Sequence, residues 1–358
     1  MTTAQRVRRA GLATAAALVI GGSGVAIGAA TDSSASGTTA AATATATPGP
    51  ATPGPDSYAS VVRQVLPSVV LIRTENGLGS GVVLDRSGNI VTNAHVAGDA
   101  TKFQVQVAGD TAPRSARLVG SYPPDDLAVI RADDPAGLKP ATFGDSDQAQ
   151  AGDVVLAVGN PLGLSGSVTQ GIISATDRAV TEPSTDGSPA ATLPGAIQTS
   201  APINPGNSGG ALVSTSGLVV GIPTLAAGSA QGGGQAQGIG FAIPSNLARD
   251  IATQIIDTGH VTNSHRAALG AEVATVLGAD GATGGAGVVA VTSGGGAERA
   301  GLRPGDVIKS VGGVQTPDTT ALTQALAAAE PGDQVTVTIS RDGQDRDVRV
   351  TLGELPGS

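Results

Sequence analysis

The chain has 358 residues, with 20 basic and 29 acidic side chains, a formal net charge of −9 and no cysteine. Disulfides, thiolate zinc sites and cysteine nucleophiles are therefore excluded, and an acidic chain whose only basic run is N-terminal argues against nucleic acid as a partner. Aromatic residues make up 1% and glycine fills 53 positions, so the cores must be built from Val, Ile, Leu and Ala through many small contacts.

The N-terminus, MTTAQRVRRA, carries Arg6, Arg8 and Arg9, and an uncharged stretch, GLATAAALVIGGSGVAIGAA, runs to Ala30. A basic start followed by an apolar run predicts that residues 1–30 form an apolar helix, either an export signal or a membrane anchor, with the arginines kept in the cytoplasm. Residues 31–57 are an Ala/Thr/Pro/Gly tract with little to bury, which predicts a disordered tether. From Tyr58, YASVVRQVLPSVVLI opens with a helical pattern and passes into a β-branched run. GVVLD and NIVTN read as strands about the turn RSG. TKFQVQVAGD, SARLVGSY, DLAVIRA, DVVLAVGN, GSVTQGIISATDR, AIQTSA, ALVSTSGLVVGIPTL and GIGFAIP continue the series. Many short strands separated by Gly/Asp/Ser turns predict antiparallel barrels over residues 58–257. That block closes on SNLARDIATQIIDTG, an amphipathic helix that Ser245 is placed to cap. A linker, 258–265, leads to a smaller strand-rich region, 266–358, with one clear helix, DTTALTQALAAA, whose start Asp318 signals and which PGD at 331–333 ends.

Chemistry enters with three histidines, His95, His260 and His265. A serine nucleophile needs a general base, and His95 lies at the end of a predicted strand in VTNAHVAG. Asp126 opens DLAVIRA at a loop-to-strand junction, and Ser208 sits in the glycine-rich GNSGG. The order His95, Asp126, Ser208 is that of the two-barrel serine proteases. Gly206 permits a turn that aims its own N–H beside that of Ser208, and losing one such oxyanion donor typically costs about 3 kcal/mol in the barrier. GNSGG also fits a nucleophile elbow, but an elbow needs a helix after the serine and a histidine well downstream. Here the β-branched ALVSTSGLVVGI follows, and the only downstream histidines are in GHVTNSHR. Those two lack a carboxylate partner on a helix and no phosphate-binding loop is present, so neither metal nor cofactor is expected.

Taken in series, SGVVLDRSGNIVTNAHV, DDLAVIRA, QTSAPINPGNSGGALV and GIGFAIP resemble the HtrA family, the Deg-type trypsin-like serine proteases. The third region resembles a PDZ domain, most specifically in AERAGLRPGDVI, and the likeness covers about residues 58–353. It implies a mostly β fold: a trypsin-like double six-stranded antiparallel β-barrel followed by a small PDZ domain of strands and helices, in a bacterial envelope protein. It implies His95 as general base, Asp126 as the acid that orients it, and Ser208 as nucleophile, with Gly206 and Ser208 as oxyanion donors. Neighbouring Asp125 is the alternative acid, but the family pattern puts the acid immediately before LAV. Ile203 matches a residue lining a small apolar specificity pocket, which implies cleavage after Val, Ala or similar residues. APINPGN offers no buried acid to receive Arg or Lys. Pro223, Thr224 and Leu225 match the substrate-facing strand, where GIPT replaces the usual GINT; Pro223 lacks an N–H but keeps a carbonyl for a substrate amide. Ser200 stands where the family often has Asp. DRAVTEPSTDGSPAATLPGA and LAAGSAQGGGQAQ match its sensing and activation loops in position, and their composition predicts flexible loops.

In the PDZ-like region, Leu269, Gly270 and Ala271 match the loop that receives a peptide C-terminus, and Ala268 stands where an aromatic is common, implying a broad preference. The implied partners are unfolded or damaged proteins, peptide C-termini, the membrane if the N-terminal segment stays uncut, and a homotrimer. The implied function is a serine endopeptidase; the competing one is a chaperone-like binding protein with little or no proteolysis.

Overall fold

The computed structural model describes residues 57–356 apart from 76, 111, 161–166, 183–190, 205, 229–234 and 279–280. The predicted N-terminal helix, and the tether up to residue 56, lie outside the described residues; among those described, no helix is long and apolar enough to cross a membrane.

A short helix, α1 (Tyr58–Val65), precedes the first barrel: β1 (Val69–Arg73), β2 (Leu78–Val83), β3 (Asn89–Thr92), a single helical turn α2 (Ala94–Ala97), β4 (Lys102–Val107), β5 (Arg114–Tyr122) and β6 (Leu127–Ala132). These strands close in the order β1-β2-β3-β6-β5-β4. The second barrel holds β7 (Val154–Gly159), β8 (Ser167–Glu182), β9 (Ala191–Thr199), β10 (Ala211–Ser214), β11 (Val219–Gly228) and β12 (Gln235–Pro244). It closes as β10-β11-β12-β9-β8-β7, the same connectivity repeated. Period-2 alternation decides which side chains go where. Val70, Ile72, Val83, Ile90 and Ile130 fill the first barrel, while their neighbours Val69, Val82, Val91 and Val129 join Leu156, Val158, Ala211 and Val213 in a core shared with the second. The barrels are therefore fused along one apolar seam, and residues at their facing ends are held in fixed relation.

α3 (Ser245–Thr258) packs Ile251, Ala252 and Ile255 into this shared core. Ser245 does not cap it. Pro244 occupies the cap position, and the Ser245 hydroxyl donates to the Gly144 carbonyl at 2.9 Å, fastening the helix start to a distant loop. The first long segment expected as a loop is strand over most of its described length, since β8 and β9 continue as a hairpin, with Val180 paired to Leu193. The β-branched AVT and ATL stretches carry the ladder outward, with Glu182 paired to Ala191.

Past α3, Gln254 Oε1 accepts the N–H groups of Thr262 and Asn263, both at 2.8 Å, so the linker is stitched to the helix it follows. The third region contains β13 (Ala267–Ala268), β14 (Ala271–Leu277), β15 (Thr283–Val291), α4 (Gly296–Arg299), β16 (Val307–Val311), β17 (Val314–Gln315), α5 (Thr319–Ala327), β18 (Gln334–Arg341), β19 (Gln344–Thr351) and β20 (Gly353–Glu354). Its sheet runs β14-β15-β16-β18-β19, with β17 added to β16 and β13 pairing β20 separately. Asp318 caps α5 as expected, accepting the Ala321 N–H at 2.8 Å.

Candidate active site

β3 and β6 are antiparallel neighbours, with Thr92 opposite Ala128. His95, in the turn after β3, and Asp126, just before β6, are therefore delivered to the same end of the first barrel. Asp126 adopts a left-handed conformation (φ 51°), one that Asp tolerates better than most residues. Its backbone carbonyl takes the Ala94 N–H and the Asn93 side-chain amide, both at 3.1 Å. Its carboxylate, 2% exposed as a residue, accepts the His95 backbone N–H at 2.9 Å and faces His95 Nδ1 at 2.8 Å. An ionised carboxylate only accepts, so Nδ1 carries the proton and a neutral imidazole keeps its lone pair on Nε2. That is the tautomer a general base requires.

The second barrel supplies the other half. Ser208 lies in the loop before β10, and its hydroxyl donates to the Thr224 carbonyl at 3.2 Å. The Thr224 hydroxyl in turn donates to Asp126 Oδ2. His95, Asp126, Thr224 and Ser208 thus form one hydrogen-bonded group drawn from both barrels. The hydroxyl role of Thr224 was not foreseeable locally; the sequence marked this residue only as part of a substrate-facing strand. Replacing Thr224 with valine removes a hydroxyl donor to a buried carboxylate, a bond of about 1.5–3 kcal/mol. A roughly ten- to hundredfold fall in kcat/KM is expected, and steady-state kinetics on a peptide substrate checks it.

Gly206 has φ 109°, beyond easy reach of any other residue, and a turn closes from the Asn207 N–H to the Asn204 carbonyl at 3.1 Å. The Asn207 side chain locks the same loop, accepting the Asn204 N–H at 3.0 Å and donating to the Pro202 carbonyl at 3.1 Å.

Asp125 points elsewhere. It is fully buried and pairs with Arg266, whose guanidinium lies 3.1 Å from Asp125 Oδ1 and donates to the Pro124 carbonyl at 2.6 Å. Burial pushes the Asp125 carboxyl up to about 6, against the opposing pull of Arg266. The two adjacent acids are thereby separated in role: Asp126 serves His95, and Asp125 ties this loop to the segment entering the third region. His260 and His265 are exposed, and the expectation that neither has a carboxylate partner on a helix is corrected for His265, whose Nε2 lies 3.1 Å from Asp250 Oδ2 on α3.

Two family descriptions match the chain, a trypsin-like peptidase domain over residues 79–222 and a PDZ domain over residues 263–352. Among curated proteins it is 36% identical over 330 residues to the periplasmic pH-dependent serine endoprotease DegQ of Escherichia coli, covering 83% of this chain and 70% of that one. The chain belongs to the HtrA/Deg family of serine endoproteases. Serine protease PepD of Mycobacterium tuberculosis is 39% identical over 317 residues, covering 83% of this chain and 66% of that one. A solved HtrA-type protease, AlgW with a decapeptide, superposes with a TM-score of 0.55 at 34% identity, covering 84% of this chain and 99% of the other.

The remaining HtrA-type positions can be placed on this frame. Ile203 is buried, and its side chain occupies the space over Gly240, where a Cβ would come within 2.4 Å of Ile203 Cγ1. Pro223 sits beside an irregularity in the β11–β12 ladder, opposite Ala242, which accommodates its missing N–H. Its carbonyl accepts the Gly209 N–H at 2.9 Å and so braces the loop that carries Ser208. Leu225 pairs with Phe241 across the same ladder. In the PDZ domain, Leu269, Gly270 and Ala271 line an apolar groove with Val273, Leu322 and Leu326, bordered by Pro194 from β9. Gly270 has φ 73°, the left-handed turn that lets this loop enter β14.

Proposed function

We propose that this HtrA-type chain cleaves unfolded or damaged proteins in the cell envelope through an acyl-enzyme, with His95, Asp126 and Ser208 as its triad. The observation that carries the reading is the four-residue group: Asp126 holds the His95 tautomer, and Thr224 connects that carboxylate to the Ser208 hydroxyl. An extended substrate lies along β11, its amide replacing Ser208 Oγ at the Thr224 carbonyl. His95 Nε2 takes the Ser208 proton as Oγ bonds to the scissile carbonyl carbon, and negative charge builds on the carbonyl oxygen. The N–H groups of Gly206 and Ser208 stabilise it. The C–N bond then breaks, His95 returns the proton to the leaving amine, and water repeats the sequence to release the acyl group.

Ile203 over Gly240 supports a shallow apolar pocket for the residue before the cleaved bond. The groove beside α5 supports capture of peptide C-termini by strand addition to β14. The basic, then apolar, first 30 residues and the periplasmic description of DegQ support an envelope location. The family membership favours proteolysis over the chaperone-like alternative. A peptide library is expected to be cut after Val, Ala and similar small apolar residues. Predominant cleavage after Lys or Arg would contradict the pocket assigned to Ile203.

A further inference from the structure

Ser80, on β2, lies wholly within the protein, across the seam from the nucleophile loop. Its backbone N–H donates to the Ser208 carbonyl at 2.9 Å, and its hydroxyl donates to the Gly206 carbonyl at 2.6 Å. The same hydroxyl oxygen accepts the Asn160 N–H at 2.9 Å, from the end of β7. The Ser80 carbonyl is held in turn by the Thr92 hydroxyl at 2.7 Å, on the strand that leads to His95. We propose that Ser80 is a positioning residue for catalysis, setting from the first barrel the geometry of the oxyanion-binding loop in the second.

A hydroxyl has one proton, and here it is committed to Gly206, while the Asn160 N–H fixes the direction of the oxygen. The peptide groups following Gly206 and following Ser208 are both anchored to Ser80. The peptide group between them carries the Ser208 N–H, one of the two assigned oxyanion donors. With both flanking planes pinned and the Asn207 N–H bonded to Asn204, that N–H is left little freedom of direction. Transition-state stabilisation depends on donors being aimed before charge develops, so a side chain that touches neither substrate nor nucleophile hydroxyl still sets the rate. Thr92, three positions before His95, completes a bonded path from the base-bearing strand to the nucleophile loop.

This inference rests on the assignment of Ser208 and Gly206 above, and its test separates the two. In the full chain, Ser80→Ala keeps the backbone bond to Ser208 but leaves the Gly206 carbonyl and the Asn160 N–H without their partner. We expect kcat to fall roughly ten- to hundredfold, below the loss from deleting an oxyanion donor outright. KM for a peptide should stay within about twofold, as for an interaction made only in the transition state. Phosphonylation of Ser208 by a fluorophosphonate should slow in parallel, while the NMR signal of the His95 Nδ1 proton stays in place. Ser80→Cys, nearly isosteric with a much poorer donor, should show the same split and serves if the alanine variant does not fold. Wild-type kcat in whichever variant folds overturns the proposal, as does a loss confined to KM or thermal stability. A wild-type protein whose Ser208 never reacts overturns the triad assignment instead.

Discussion

Asp126→Asn is expected to lower kcat about ten-thousandfold, and Asp125→Asn, one residue earlier, to leave it within a few-fold of wild type. Asparagine at 126 presents either an amide donor or a carbonyl acceptor where a carboxylate now accepts from the His95 ring, its backbone N–H and Thr224. The imidazole is then driven towards the tautomer whose Nε2 bears a proton and cannot act as a base. Ser208→Ala removes the nucleophile and should cost about a million-fold, leaving only what binding and the oxyanion donors supply. Kinetics on one peptide substrate, with unfolding curves to confirm that each variant is native, decides all three. Equal losses at 125 and 126 would contradict the division of labour between these adjacent acids.

The second large effect concerns the buried pair that joins the Asp126 loop to the third region. Removing one partner of a buried ion pair costs about 3–5 kcal/mol, because the other is stranded. Arg266→Met is therefore expected to be strongly destabilising at pH 8, where Asp125 is ionised. The sign of the pH dependence follows from the direction of the shift. The folded protein holds the Asp125 proton more tightly than the unfolded chain, since its carboxyl stands near 6 against an ordinary 3.8. The burial penalty is absent below about pH 4, grows as pH rises towards 6, and is constant above it. It amounts to about 3 kcal/mol in the wild type. Arg266→Met extends the rise to higher pH and enlarges it, so this variant should lose much less stability at pH 5 than at pH 8. Asp125→Asn abolishes that component, and Asp125→Asn combined with Arg266→Met should recover much of the single-variant loss. Urea unfolding at both pH values checks the set; a pH-independent Arg266→Met defect would contradict the stranded-carboxylate explanation.

The barrels, the third region and the three positions proposed as the triad were legible because each rests on short-range signals: β-branched runs between turns, GNSGG before a strand, Asp immediately ahead of LAV. What was not legible depends on register between distant segments. Ser80 and Gly206 are 126 positions apart, Asp126 and Thr224 are 98 apart, and Asp125 and Arg266 are 141 apart. No local pattern marks a serine in GSG as the holder of a loop in another barrel. Ser245 shows the same limit at small scale. Its placement as a cap was reasonable from sequence, but the helix begins one residue earlier and the hydroxyl is claimed by Gly144. Pro223 looked anomalous in a substrate-facing strand until the ladder irregularity beside it and the Gly209 bond showed that its N–H is not missed and its carbonyl is employed internally. The β8–β9 hairpin was masked by composition, because Thr, Ala and Gly serve both loops and strand extensions.

Treating the purified full-length protein with a fluorophosphonate and mapping the adduct by peptide mass spectrometry probes the reactive centre itself. One phosphonyl group on Ser208, lost in His95→Ala and slowed in Asp126→Asn, is the predicted result. Modification of a different serine, or equal labelling of Ser208 with and without the His95 imidazole, would contradict it.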